Sequence, residues 1–170
     1  VATDAFREFM DRNRLWTVIE DGLPDSEIVK RFLDATQSER IREQLRGVLA
    51  VLQTPLAVRP SSHLENTEQR EFASIFSSRM LPNTEPTQGA RYRRLSAAIK
   101  LSWASTFLGS AVVSRRAAGL AADAEAMAVV LQEVTGRRHG GRYYPHLSAL
   151  ARSYNHYPVP GNSREDGVVS

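Results

Sequence analysis

Phosphate chemistry is the first kind suggested by the residues themselves. Leu56-Ala57-Val58-Arg59 is a short apolar run ending on a guanidinium, and Pro60-Ser61-Ser62-His63-Leu64-Glu65-Asn66 follows it. An arginine at the mouth of a buried strand, followed by hydroxyls, offers a rigid donor fork and O–H groups to a phosphate. A second feature is charge placement. Residues 88–121 hold six basic side chains (Arg91, Arg93, Arg94, Lys100, Arg115 and Arg116) and no acid. That stretch is either a solvated helix face or a surface favouring a polyanionic ligand. Four histidines, His63, His139, His146 and His156, show no i, i+4 pair, and the chain has no cysteine. They read as solvated or structural groups, and no metal site is expected on them. No G-x-S-x-G elbow occurs, and neither Lys30 nor Lys100 lies in a glycine-rich phosphate loop.

Several elements must position these residues. Ala5, Phe6, Phe9 and Met10 share one helical face, ending near Asn13. A second helix is expected from Glu27 to Ala35, capped by Asp25 or Ser26, with Ile28, Val29, Phe32 and Leu33 on its buried face. Ser38 opens a third, in which Ile41, Leu45, Val48, Leu49 and Leu52 recur at helical spacing. Pro55 marks a change: a strand at 56–59 follows, and residues 72–81 read as a second. A long helix starts near Ala90 with Leu95, Ala98, Ile99, Trp103 and Phe107 on its apolar face, and a further helix covers 110–120. Ala126 to Leu131 reads as a central strand buried on both faces. A loop or turn at 136–141, an extended segment from Arg142 to Asn155 and an incipient strand at 167–170 complete the chain. Helices first and strands mixed with helices later predict an α+β fold, with residues 1–53 helical and residues 54–170 mixed.

Composition agrees with a folded domain: 170 residues, 42% hydrophobic and 24% charged, with a net charge of +3. No apolar run is long enough to span a membrane, so no membrane partner is expected. The lack of cysteine is compatible with a cytoplasmic protein. The dispersed basic residues carry no recognition motif, so nucleic acid is not an expected partner. The start at Val1 and the stop inside a strand at Ser170 read as the ends of a piece of a longer protein.

Six blocks, in order, resemble the ATP-binding domain of phosphoenolpyruvate synthase and pyruvate phosphate dikinase. The 56–66 segment is similar to that family's VRSSA signature. Phe72-Ala73-Ser74-Ile75 falls at its phosphate loop, and Ile99 to Phe107 (IKLSWASTF) resembles its CWASLF helix. Met127 to Gln132 resembles its MAVVVQ strand. Arg142 to Pro158 resembles the extended segment after that strand, and Glu165 to Val169 resembles the family's approach to its next glycine-rich segment. The resemblance implies that residues 54–170 form an ATP-grasp nucleotide-binding lobe, incomplete at its C-terminus, with a mixed or antiparallel sheet. In it, ATP and Mg²⁺ lie against a second lobe, and phosphate passes to a carrier histidine on a separate domain. By position, Arg59, Ser61, Ala73, Ser74 and Arg115 would contact ATP phosphates, and Gln132, Glu133 and Val134 would lie beside adenine. The chain departs from the pattern at Ser74 (a glycine in the family), at Ser110 (an arginine), at Pro60 and at Asn66. Those departures leave a second reading open, a non-catalytic regulatory or assembly module on the same fold. By itself the chain is expected to be inactive, within a kinase- or transferase-like parent.

Overall fold

The computed structural model describes residues 1–19, 22–62, 76–117, 119, 126–149, 151–155 and 157–169. They fall into two compact units, Val1–Val134 and Thr135–Ser170.

In the first unit, α1 (Thr3–Arg12) buries Ala5, Phe6, Phe9 and Met10, the face that the spacing predicts. Asn13 ends the helix. Its side-chain amide donates to the Phe9 carbonyl (2.8 Å) and the Thr36 carbonyl (3.0 Å), and its oxygen accepts from the Thr36 N–H (2.9 Å). One residue therefore ties the end of α1 to the chain leaving the next helix. After a 3-10 turn at Leu15–Ile19, α2 spans Asp25–Asp34. Pro24 precedes it at φ −65°, a value already suited to helix entry. Ile28 and Phe32 are buried, but Leu33 is 37% exposed, because each helical step turns about 100° and carries it off the apolar stripe. Helix α3 (Glu39–Val51) begins as expected at Ser38, whose hydroxyl accepts from the Ile41 N–H (3.4 Å).

Strand β1 (Leu56–Ser61) pairs antiparallel with β2 (Arg79–Leu81) on one side and with β3 (Ala128–Glu133) on the other. The order β2-β1-β3 corrects the sequence expectation: β1 is the middle strand and β3 is an edge among the described strands. Nor is β3 buried on both faces. Val129 is buried, whereas Val130 is 49% exposed, since successive side chains point to opposite faces and one face alone meets the helices. The strand expected at 72–81 is observed only at 79–81, and residues 72–75 lie outside the described residues. Pro60 sits in a middle strand without breaking a ladder. The Val134 N–H donates to Pro55 O, so Arg59 and Ser61 also turn their main-chain groups to β3 while Pro60 faces the β2 side. There β2 has already stopped pairing, at Val58.

Helix α4 (Gln88–Ser105) is capped by the Thr87 hydroxyl, which accepts from Ala90 N–H, and α5 (Gly109–Ala117) follows it. The core is aromatic where α1, α2 and α4 meet. Phe9 lies 4.8 Å from Trp103 and 5.9 Å from Phe32, and Phe32 lies 5.7 Å from Phe107. Leu56, Val58 and Val129 join the same cluster, so the helices of residues 1–53 and the sheet share one core. Among the described residues the helices lie on one side of an antiparallel sheet, an α+β fold.

In the second unit the segment expected as a loop or turn holds the Gly140 turn (φ +59°) of a hairpin, and its first residues form strand β4 (Gly136–His139), paired with β5 (Arg142–Pro145). A Cβ on Gly136 would fall 2.1 Å from the Tyr144 carbonyl oxygen, so the pairing requires glycine there. The extended segment expected from Arg142 to Asn155 is broken. After β5, β6 (Ala151–Arg152) pairs with β7 (Val168–Val169).

Candidate functional site

Alternation along β1 decides which side chains share a face. Leu56, Val58 and Pro60 turn to the helices and are buried; the exposed Arg59 and half-buried Ser61 turn away with Ala57, which is itself 5% exposed. Directly paired residues share a face, and the register puts Ala57 opposite Gln132 and Met80, Arg59 opposite Val130, and Ser61 opposite Ala128. The open face therefore carries Arg59, Ser61, Val130, Gln132 and Met80, the last 70% exposed. On it the Arg59 guanidinium donates through Nη1 to Gln132 Oε1 at 3.1 Å. That contact fixes the fork's direction and leaves an exposed, positively charged group beside a hydroxyl residue.

The other predicted residues fall elsewhere. Glu133 has the opposite parity from Gln132, and its carboxylate accepts from the Thr54 hydroxyl at 2.5 Å, a lock between strand end and preceding loop. The Val134 N–H is engaged by Pro55 O at 2.9 Å. Val129 exchanges both main-chain bonds with Val1, the Val1 ammonium donating at 2.8 Å and the Val129 N–H at 2.9 Å. Burial pushes that ammonium below its ordinary pKa, against the opposing pull of Asp4. By alternation, the main-chain groups of Leu131 and Glu133 also point to the outer edge, where no described strand pairs beyond Val129. Leu131, which the sequence did not single out, thus shares this outward edge with Glu133. The odd-even phase of the outward edge becomes visible only once Val129 is seen paired.

Arg115 is 3% exposed on α5; its Nη1 donates to the Thr106 carbonyl at 2.8 Å, and its guanidinium lies 6.0 Å from the Phe107 ring centre. It stabilises the chain's turn out of α4. Ala73 and Ser74 lie outside the described residues, as do His63 and His156. His139 lies edge-on to Tyr144 at 5.9 Å.

The basic stretch at 88–121 is not one polyanion surface. Arg91 is buried and donates to the Leu49 carbonyl, the Leu52 carbonyl (3.3 Å) and Gln53 Oε1 (2.7 Å), at the C-terminal end of α3. Lys100 donates to the Leu33 carbonyl (2.8 Å), and burial holds its pKa below the ordinary lysine value against the pull of Asp34. Arg94 pairs with Glu85 at 3.2 Å. Cations at helix C-termini complement unsatisfied carbonyls and the helix dipole, a structural use of charge that composition cannot distinguish from ligand binding.

Among the described residues no helix is long and apolar enough to cross a membrane. Neither a curated protein nor a solved structure matches the chain significantly. The model of the pyruvate phosphate dikinase AMP/ATP-binding domain matches residues 1–161, and with the strand–arginine–hydroxyl face in place the chain belongs to that family of ATP-binding lobes.

Proposed function

We propose that the open face of β2-β1-β3 is the nucleotide face of an ATP-grasp lobe. Arg59 and Ser61 would hold the ATP phosphates, the loop at Ala73 and Ser74 would cover them, and the end of β3 from Gln132 to Val134 would border adenine. The Arg59–Gln132 contact on an exposed face carries this reading, because it joins the phosphate-side and adenine-side residues in one surface. The outward main-chain edge at Leu131 and Glu133 supports it, as a donor–acceptor row beside the proposed base. Bound ATP with Mg²⁺ would supply the transferable phosphoryl group. The protein's part is to position it and neutralise its charge, for which an arginine fork is suited. In the parent, a second lobe would close the site and a carrier histidine on another domain would receive the phosphate, in the cytoplasm.

Calorimetry with Mg-ATP on the parent protein tests this. Arg59→Gln is expected to weaken binding about tenfold or more, as loss of a charge-assisted contact does. Its melting temperature should hold, because Arg59 is exposed. No heat of binding at saturating nucleotide in the unsubstituted parent would sink the reading. One observation favours the alternative, a non-catalytic module on this fold: Arg115, one of the two nearest stand-ins (with Arg116) for the arginine that Ser110 replaces, is turned into the core. A large gain of phosphotransfer in the Ser74→Gly, Ser110→Arg double variant would reject that alternative.

A further inference from the structure

A second polar cleft, of about 330 Å³, lies between the chain leaving α2, the first turns of α3 and the middle of α4. Gln37, Arg42, Arg46, Arg93 and Lys100 line it, with Asp34 as the one carboxylate. None of these residues belongs to the sheet face described above.

Gln37 is 4% exposed, and its side-chain oxygen accepts from the Tyr92 hydroxyl (3.1 Å) and the Ser96 hydroxyl (2.9 Å). Two donors on one oxygen fix the amide plane. The Gln37 Nε2 group is then buried with no hydrogen-bond partner. Arg42 Nε is a second buried donor without a partner, while its Nη2 pairs with Glu39. Buried N–H groups are seldom left unsatisfied, and each one left so destabilises the fold. Charge points the same way. Arg46 is held over the Tyr92 ring, its guanidinium carbon 5.4 Å from the centroid. Glu39 lies 3.6 Å from Arg46 Nη1 and is shared with Arg42. Lys100 is anchored on the Leu33 carbonyl, and Arg93 has no ion-pair partner among the described residues. Four cations against Asp34 and the shared Glu39 leave the cleft positive.

We propose that this cleft binds the phosphate group of a small anion, inorganic phosphate or a phosphate monoester. A phosphate offers several acceptor oxygens and up to two charges, which matches a donor-rich, cationic lining better than a single carboxylate does. Arg46, Arg93 and Lys100 would neutralise it, and a small turn of the Gln37 and Arg42 side chains would bring their buried Nε2 and Nε groups to its oxygens.

The test is a titration of the chain with inorganic phosphate at constant ionic strength. The resonances of the Gln37 side-chain amide and the Arg42 Nε–H report binding. A saturable shift of both is expected, unchanged in Arg59→Gln and weakened about tenfold or more in the Arg46→Gln, Arg93→Gln double variant. Both substituted residues are exposed, and an unchanged melting curve verifies the fold. Glycerol phosphate as a second titrant separates the sources: tighter binding than inorganic phosphate assigns the site to esters, and equal or weaker binding assigns it to the free ion. A linear response without saturation overturns the proposal, as does an equal response to malonate. A shift lost in Arg59→Gln but kept in the double variant also overturns it and places the phosphate on the sheet face instead.

Discussion

Arg91 lies 7% exposed on α4, with its guanidinium against the last turn of α3. It satisfies carbonyls that a helix C-terminus leaves without internal partners, and its charge complements the dipole there. Arg91→Met keeps much of the packing and removes every donor. It is expected to lower stability by about 2–3 kcal/mol, read as a lower urea midpoint at unchanged slope. Arg59, with its fork on the open face, is expected to do the reverse, losing ligand and keeping stability. Both residues are arginines near a structural boundary, and sequence pattern assigned a role to the second alone. The strand-then-hydroxyl context of Arg59 is local and legible. The partners of Arg91 lie 38 to 42 residues away, at the end of another helix, and no spacing rule links them.

Caps and pairs join α1 and α3 at the level of whole elements. Arg40 donates to the Glu8 carboxylate (Nε at 3.2 Å, and Nη2 as well) and reaches Asp4 at 3.4 Å. The Glu8 carboxyl is held below its ordinary value of 4.5, first by a hydrogen bond from Ser38 and then by Arg40. A carboxylate depressed in the folded state contributes stability that is fully present above its unfolded pKa and is lost as pH falls through the folded value. Arg40→Gln is therefore expected to be slightly less stable than the parent at neutral pH, the pair being solvent-screened. The gap should close as the pH drops below 4.5 toward the folded value; urea midpoints across that range measure it. Ser38 serves both α3, as its cap, and Glu8, as a donor. The capping role was readable from Ser38-Glu39 before an amphipathic run; the link to α1 was not.

Across the described residues of the whole molecule, every buried hydrophobic residue of the core cluster lies between Ala5 and Val129. A chain ending at Val134 is therefore expected to unfold cooperatively, with a melting midpoint within roughly 2–4 °C of the full chain, the shift that about 1 kcal/mol produces. A broad, non-cooperative melt of 1–134 would show that residues 135–170 help to hold the core. What the sequence determined by itself was local or additive. Helical faces follow from 3.6-residue spacing, Ser38 has the chemistry of a cap, and six ordered blocks carried the family, which the match over residues 1–161 establishes. What only the tertiary structure decided was non-local. An apolar run such as Ala126 to Leu131 reads the same in a middle strand as in an edge strand, because its hydrophobicity records burial and not neighbours. Among the described strands, pairing with β1 alone made β3 an edge, left Val130 exposed, and placed Arg59 and Gln132 on one open face. In the same way, a positive charge in sequence does not name its partner. Packing α4 against α3 turned Arg91 onto main-chain carbonyls, and packing it against the chain leaving α2 gathered the cations of the second cleft around the Gln37 amide.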